Sequence, residues 1–210
     1  MHLWGPSAYG RDAEASPAIL AVKLYITNDT IMSDMKSSGL FSDRIAGTIR
    51  SGLPAVVELF YILDLPDKSS VKKGMVSYEL RYEVWDDYYS IEANNKTTVY
   101  TTFDAMSRAV HHLEKIALIP LHEIKPDQEY AFRFGMTVNP LRGSDRKKIA
   151  GWVGETVGGT ANESWREQVL NLNDLIQHFF SKRKDVNRSE WFQTEFFKSK
   201  DLLVHEDKGE

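Results

Sequence analysis

Residues 49–67 read IRSGLPAVVELFYILDLPD, and the way this stretch folds decides where the rest of the chain can go. Ser51-Gly52 closes a polar–apolar segment, Leu53-Pro54 follows, and the eleven residues 55–65 carry only two charges, Glu58 and Asp64. Eleven residues interrupted by a glutamate are too few to cross a ~30 Å hydrocarbon layer as a helix. A strand fits instead. Pro54 stands at its first position, where the missing N–H does least harm. The two faces are Val57, Leu59, Tyr61, Leu63 and Val56, Glu58, Phe60, Ile62. Both are mainly apolar, as expected of a central strand covered on each side.

Working outward, Ser42 is placed to cap a short helix over 43–50, with Asp43 in its first turn and Gly52 as its terminator. Residues 19–27 alternate Leu20, Val22, Leu24, Ile26 against Ala21, Lys23, Tyr25, Thr27, the pattern of a strand with one buried face. Asn28-Asp29 turn the chain into a weaker return strand, TIMSDMK. Downstream, PDKSSVKKG reads as a turn-rich loop. Residues 75–85 then place Val76, Tyr78, Leu80, Tyr82 and Val84 inside, with Ser77, Glu79, Arg81 and Glu83 outside. Asp86-Asp87 and Asn94-Asn95 turn the chain through YYSIEA and TTVYT, which completes an antiparallel meander. Thr101 or Thr102 caps a helix whose apolar stripe runs Phe103, Met106, Val110, Leu113, Ala117. Residues 128–138 are another strand, with Tyr130, Phe132, Phe134, Met136 and Val138 on one side.

Residues 139–164 contain five glycines and few apolar anchors, so they read as a long loop, and loops of that length are commonly functional or mobile. Beyond it, residues 165–170 are a candidate strand, and Leu172, Leu175, Ile176, Phe179 and Phe180 share one face of a short helix. SEWFQTEFFKS closes the domain. These elements predict an α+β protein: a mostly antiparallel sheet of six to eight strands, with room for two layers, and two or three helices. The expected organisation is a disordered leader over 1–18, a single domain over 19–200 with a closing segment at 165–200, and a polar tail over 201–210.

The chain has 210 residues, 42% hydrophobic and 27% charged, enough to bury a core without staples. A net charge of −4 and a pI near 5.9 give no global field toward nucleic acid or anionic lipid. The basic runs RGSDRKK and SKRK read as solvated faces. There is no cysteine, which excludes disulfides and thiol chemistry, and no run approaches the ~20 apolar residues of a membrane-spanning helix.

No assembled catalytic set is visible. GETVGGT lacks the lysine of a phosphate-binding loop, there is no dinucleotide-binding turn, and no nucleophile elbow occurs. Gly151 and Gly154 match the spacing of a KH clamp but enclose apolar residues. Asp86-Asp87 lie in a turn, where aspartate is favoured for backbone reasons. His111, Glu114 and His122 are the nearest approach to a metal- or carboxylate-assisted hydrolase, although the paired histidines of a helix-borne zinc site are missing. No cofactor is indicated. The aromatics carry more: Trp191, Phe192, Phe196 and Phe197 crowd the C-terminus beside SKRK, and Trp152 and Trp165 lie in and beside the long loop. These six are the candidates for a partner-binding surface, with peripheral membrane contact as a further use of the same aromatics.

A helix followed by SGLP and an apolar strand, then YELRYEVWDDYYSI, then TTFDAMSRAV, resembles a bacterial family known as domain of unknown function 4390. The matching features are Ser51, Gly52 and Pro54; Leu80 and Tyr82; Tyr88 or Tyr89; and Phe103, with QEYAFRFGMTV and the closing aromatic segment resembling the later parts of the pattern. The resemblance covers about residues 20–200. Residues 141–164 depart from it, being longer and richer in glycine. It implies an exported or envelope-associated, periplasmic protein, and so reads residues 1–16, which include Ala13-Glu14-Ala15, as the tail of a signal peptide. It lends no catalytic residues. The expected function is therefore a non-catalytic envelope protein that binds another protein or an apolar ligand, and not nucleic acid.

Overall fold

The computed structural model describes residues 16–140 and 187–205. They form two antiparallel sheets and two helices around one core, an α+β fold as the sequence predicts. The smaller sheet has the order β1-β2-β7. Its strands β1 (Ala18–Thr27) and β2 (Thr30–Ser38) are joined by Asn28 and Asp29, which both adopt the left-handed backbone of a two-residue I′ turn.

The chain then enters helix α1 (Asp43–Arg50), whose first turn is capped by the Ser42 hydroxyl accepting from the Ile45 N–H. It stops at Gly52, whose φ of 83° a side chain would resist. The opening stretch becomes β3 (Ala55–Asp64), buried at every residue and paired with β4 on one side and β8 on the other. The larger sheet runs β10-β8-β3-β4-β5-β6. Its members are β4 (Ser70–Glu83), β5 (Tyr88–Ala93), β6 (Lys96–Tyr100), β8 (Ala131–Pro140) and the two-residue β10 (Phe192–Gln193), with β9 (Asn187–Arg188) also on β8. Val57, Leu59, Tyr61 and Leu63 meet Phe132, Phe134, Met136 and Val138 in the core, which α1, α2 (Phe103–His111) and the smaller sheet complete.

Leu20 and Val84, expected inside, are 61% and 54% exposed, and two larger readings change. The stripe expected to continue through Leu113 and Ala117 breaks, because the helix ends at His111 and β7 (His112–Pro120) pairs with β2. A bulge disguises this strand. Glu114 and Lys115 together oppose Asp34, and Lys115 takes a φ of 54°. The inserted residue spaces the buried Leu113 and Ile116 three apart, as a helix would. Second, β4 begins at Ser70, so most of the supposed PDKSSVKKG loop is strand, with Gly74 inside it. Gly74 lies opposite Tyr61, and a Cβ there would come within 2.0 Å of the tyrosine ring. The vacancy lets Tyr61 lie across β4 and donate its hydroxyl to the Leu118 carbonyl at 2.8 Å, which ties the sheets together.

The closing segment lies along β8. Phe192 is paired with Phe134, and Phe197 exchanges two backbone bonds with Tyr130. The first residues of the polar tail then run parallel to β1, with Leu203 and His205 bonded to Ile26. Among the described residues no helix is long and apolar enough to cross a membrane.

Candidate binding surface

The β4–β5 hairpin presents the most exposed large hydrophobic side chain among the described residues. Tyr82 pairs with Tyr89 and Glu83 with Tyr88, and the connecting residues 84–87 form a tight loop. The loop is held: the Tyr82 hydroxyl donates to Asp87 Oδ1 at 2.7 Å, and Asp87 takes the left-handed backbone that reverses the chain. That hydrogen bond raises the Tyr82 pKa, because it favours the phenol. Beneath it the Tyr82 and Tyr89 rings stack at 4.6 Å. On this fixed base Trp85 is 97% exposed. The backbone of Gly52 packs so closely beside Val84 that a Cβ would stand 2.8 Å from its methyl. Val84 and Leu53 are both more than half exposed. Leu53 and Val84 are thus exposed apolar residues beside the base of the hairpin tip that carries Trp85, and Glu83, Asp86 and Asp87 are its acidic neighbours in sequence.

The sequence pointed elsewhere. Phe192 and Phe197 pack against the core, with the Phe197 ring stacked on Phe132 at 5.8 Å. Trp191, with the Arg133 guanidinium 5.7 Å from its ring, and Phe196 face outward and are 36% and 50% exposed. The segment therefore splits into inward anchors and outward aromatics. Trp152, Trp165, the 141–164 region and the elements expected over 165–180 lie outside the described residues. Trp85 was missed because alternation places it on the outer face of an ordinary strand. The available signal was its position between Val84 and the Asp86-Asp87 turn.

His111, Glu114 and His122 do not converge. His111 Nδ1 lies 2.8 Å from the Ser107 carbonyl and its ring stands edge-on to Phe41, so burial pushes its pKa down. Glu114 sits on the β7 bulge and His122 in the turn after β7, both exposed. Among the described residues no group of three or more His, Asp or Glu is arranged to hold a metal ion.

Two further polar features stand out. On the outer face of the smaller sheet, a cleft of about 480 Å³ is bordered by Lys23, Tyr25, Asp34, Lys115 and His205. Asp34 Oδ1 organises it by accepting from the Tyr25 hydroxyl at 2.9 Å and from the Lys115 N–H at 3.0 Å. Burial, with the Asp34 bond, pushes the Tyr25 hydroxyl up to about 12, so it serves as a donor there and not as a base. In the larger sheet, Glu58 lies 3% exposed on the second face of β3, with Oε2 accepting from the Thr137 hydroxyl at 3.0 Å. Desolvation raises its pKa to about 7, against the opposing hydrogen bonds of Thr137 and Asn139. In comparisons with known proteins, no family model, no curated protein and no solved structure matches the chain.

Proposed function

We propose that this protein is a non-catalytic binding module of the cell envelope, which docks another protein through the hairpin tip bearing Trp85. The supporting observation is that indole, 97% exposed on a loop that hydrogen bonding and ring stacking hold in place. Sealing an indole of ~150–250 Å² in a pocket yields on the order of 4–6 kcal/mol by area. Tryptophan is prominent among the residues that dominate interface energies, and a preformed loop loses little entropy on docking. Leu53 and Val84 add exposed apolar surface near the hairpin, and Glu83, Asp86 and Asp87 put acidic residues next to Trp85 in sequence. An apolar pocket rimmed by lysine or arginine complements that arrangement, whereas an anionic lipid surface opposes it. The envelope setting is drawn from the sequence resemblance and is proposed with it.

The test is capture from extracts of the source cells on the immobilised full chain, at low and at high salt. Trp85→Ala is expected to lose the wild-type partner, and Asp86→Lys to weaken it most at low salt. Trp191→Ala and Phe196→Ala are expected to retain it. Loss with the latter pair alone would move the contact to the C-terminal segment. Retention by every variant would sink the reading.

A further inference from the structure

A sheet edge presents a row of backbone N–H and C=O groups, and folds normally cover such an edge, kink it or place charges on it. The smaller sheet disposes of both of its edges. The β1 edge is met at Ile26 by residues 203–205, and the β7 edge is kinked by the bulge at Glu114 and Lys115. In the larger sheet the β8 edge carries β9 and β10. Among the described residues the β6 edge is neither covered nor kinked, and its one charge, Lys96, stands at the first position of the strand. Its register with β5 runs without a shift from Lys96 to Tyr100, and the strand contains neither proline nor an acidic residue. Lys96, Thr97, Thr98 and Val99 are all exposed, and among the described residues no strand pairs with the outer side of β6.

The turn before β6 fixes which backbone groups point outward. Asn94 and Asn95 have φ of 49° and 59°, the I′ geometry, and Ala93 pairs with Lys96 across them. The closing pair of such a turn is hydrogen-bonded, and bonded and open pairs alternate from there along the hairpin. Lys96, Thr98 and Tyr100 therefore direct their N–H and C=O toward β5. Thr97 and Val99 direct theirs away from the sheet.

We infer that β6 pairs antiparallel with β6 of a second copy of this chain, about a twofold axis through Thr98. In that register Thr97 lies opposite Val99 of the second copy, and these are the two residues whose backbone groups face outward. Each such pair exchanges both of its hydrogen bonds, while Thr98 meets its own equivalent in the open pair between them. The register is thus the one in which the whole strand overlaps and every outward group finds a partner. The side chains agree with it. Lys96 is the one charged residue of the strand, and it falls opposite Tyr100 of the second copy, so an ammonium meets a ring and like charges stay apart. Thr97, Thr98 and Val99 supply β-branched cross-strand pairs, which favour a pleated partner. A self-complementary patch on a twofold axis closes as a dimer and does not propagate. This pairing is independent of the Trp85 contact.

The experiment is sedimentation of the full chain over a concentration series up to about 1 mM. The wild type is expected to rise from the monomer mass of 24.0 kDa toward twice that value. Thr97→Pro removes an outward N–H without breaking the β5–β6 ladder, and is expected to stay monomeric with an unchanged circular dichroism spectrum. Val99→Lys leaves the backbone intact and sets two ammonium groups diagonally across the axis, so it too is expected to be monomeric. Thr98→Pro is the comparison: it removes an inward N–H and is expected to damage the hairpin itself. A wild type that remains monomeric throughout would leave the edge to a different protein and overturn the inference. So would a dimer that both Thr97→Pro and Val99→Lys preserve.

Discussion

Glu58 sits at the middle of the most buried strand, and replacing it with glutamine is expected to make the protein more stable at neutral and alkaline pH. Burial raises its pKa from 4.5 to about 7, with the Thr137 and Asn139 hydrogen bonds working against the rise. The folded state therefore holds this proton to higher pH than the unfolded chain does. Folding takes up a proton between about pH 4.5 and pH 7, and stability falls as pH rises through that window. Below it the carboxyl is protonated in both states and its contribution is fully present. Above it the folded protein carries a buried carboxylate, and at 1.36 kcal/mol per pKa unit the shift costs about 3 kcal/mol. Glu58→Gln keeps the shape and removes the ionisation, so it should recover most of that cost above pH 7 and little at pH 5. Urea unfolding of both proteins from pH 5 to pH 8 reads the effect, because the other titrating groups cancel in the difference. The advantage of the glutamine variant should widen by about 2 kcal/mol across the series. A difference that stays flat with pH, or a glutamine variant less stable at pH 8, would refute the assignment of a strained buried carboxyl at this position.

Gly74→Ala is expected to destabilise the protein by about 2–4 kcal/mol, since the new methyl must displace the Tyr61 ring and break its bond to the Leu118 carbonyl; a change within about 0.5 kcal/mol in urea unfolding would show that the ring has another seat. Phe197→Ala should cost about 2 kcal/mol through the lost stack on Phe132, whereas Phe196→Ala should be nearly neutral, so equal losses would contradict the division of the closing segment into inward anchor and outward aromatic.

What the sequence made legible, and what it hid, follows from how far each signal reaches along the chain. Helix α1 could be placed residue for residue because its determinants are local: Ser42 at the cap, Asp43 in the first turn, Gly52 with a backbone that resists a side chain. The centrality of β3 was equally readable, since a strand apolar on both faces must be covered on both. The turns at Asn28-Asp29 and Asn94-Asn95 carry their geometry in their own residues. Strand β7 was hidden because a single inserted residue gives a strand the spacing of a helix. The bulge is stabilised from another strand, by the Asp34 carboxylate accepting the Lys115 N–H, and that contact spans 81 positions of sequence. Gly74 looked like a loop residue because its meaning depends on Tyr61, which faces it across the hairpin.

The two proposed contact regions lay beyond local reading for a related reason. Trp85 continues the alternation of β4, and only the register of the hairpin ends the strand at Glu83 and leaves the indole in water. Strand β6 is a still clearer case. The run Thr97-Thr98-Val99-Tyr100 would suit the middle of a sheet as well as its rim. Among the described residues, what makes β6 an edge is the sheet order, in which β8 and β4 occupy the flanks of β3 and leave β6 last in line. Edge status is a property of the whole chain, and so is the exposure of the Thr97 and Val99 backbone groups. A sequence can state which residues would pair well, but only the topology states which of them have no strand beside them among the described residues.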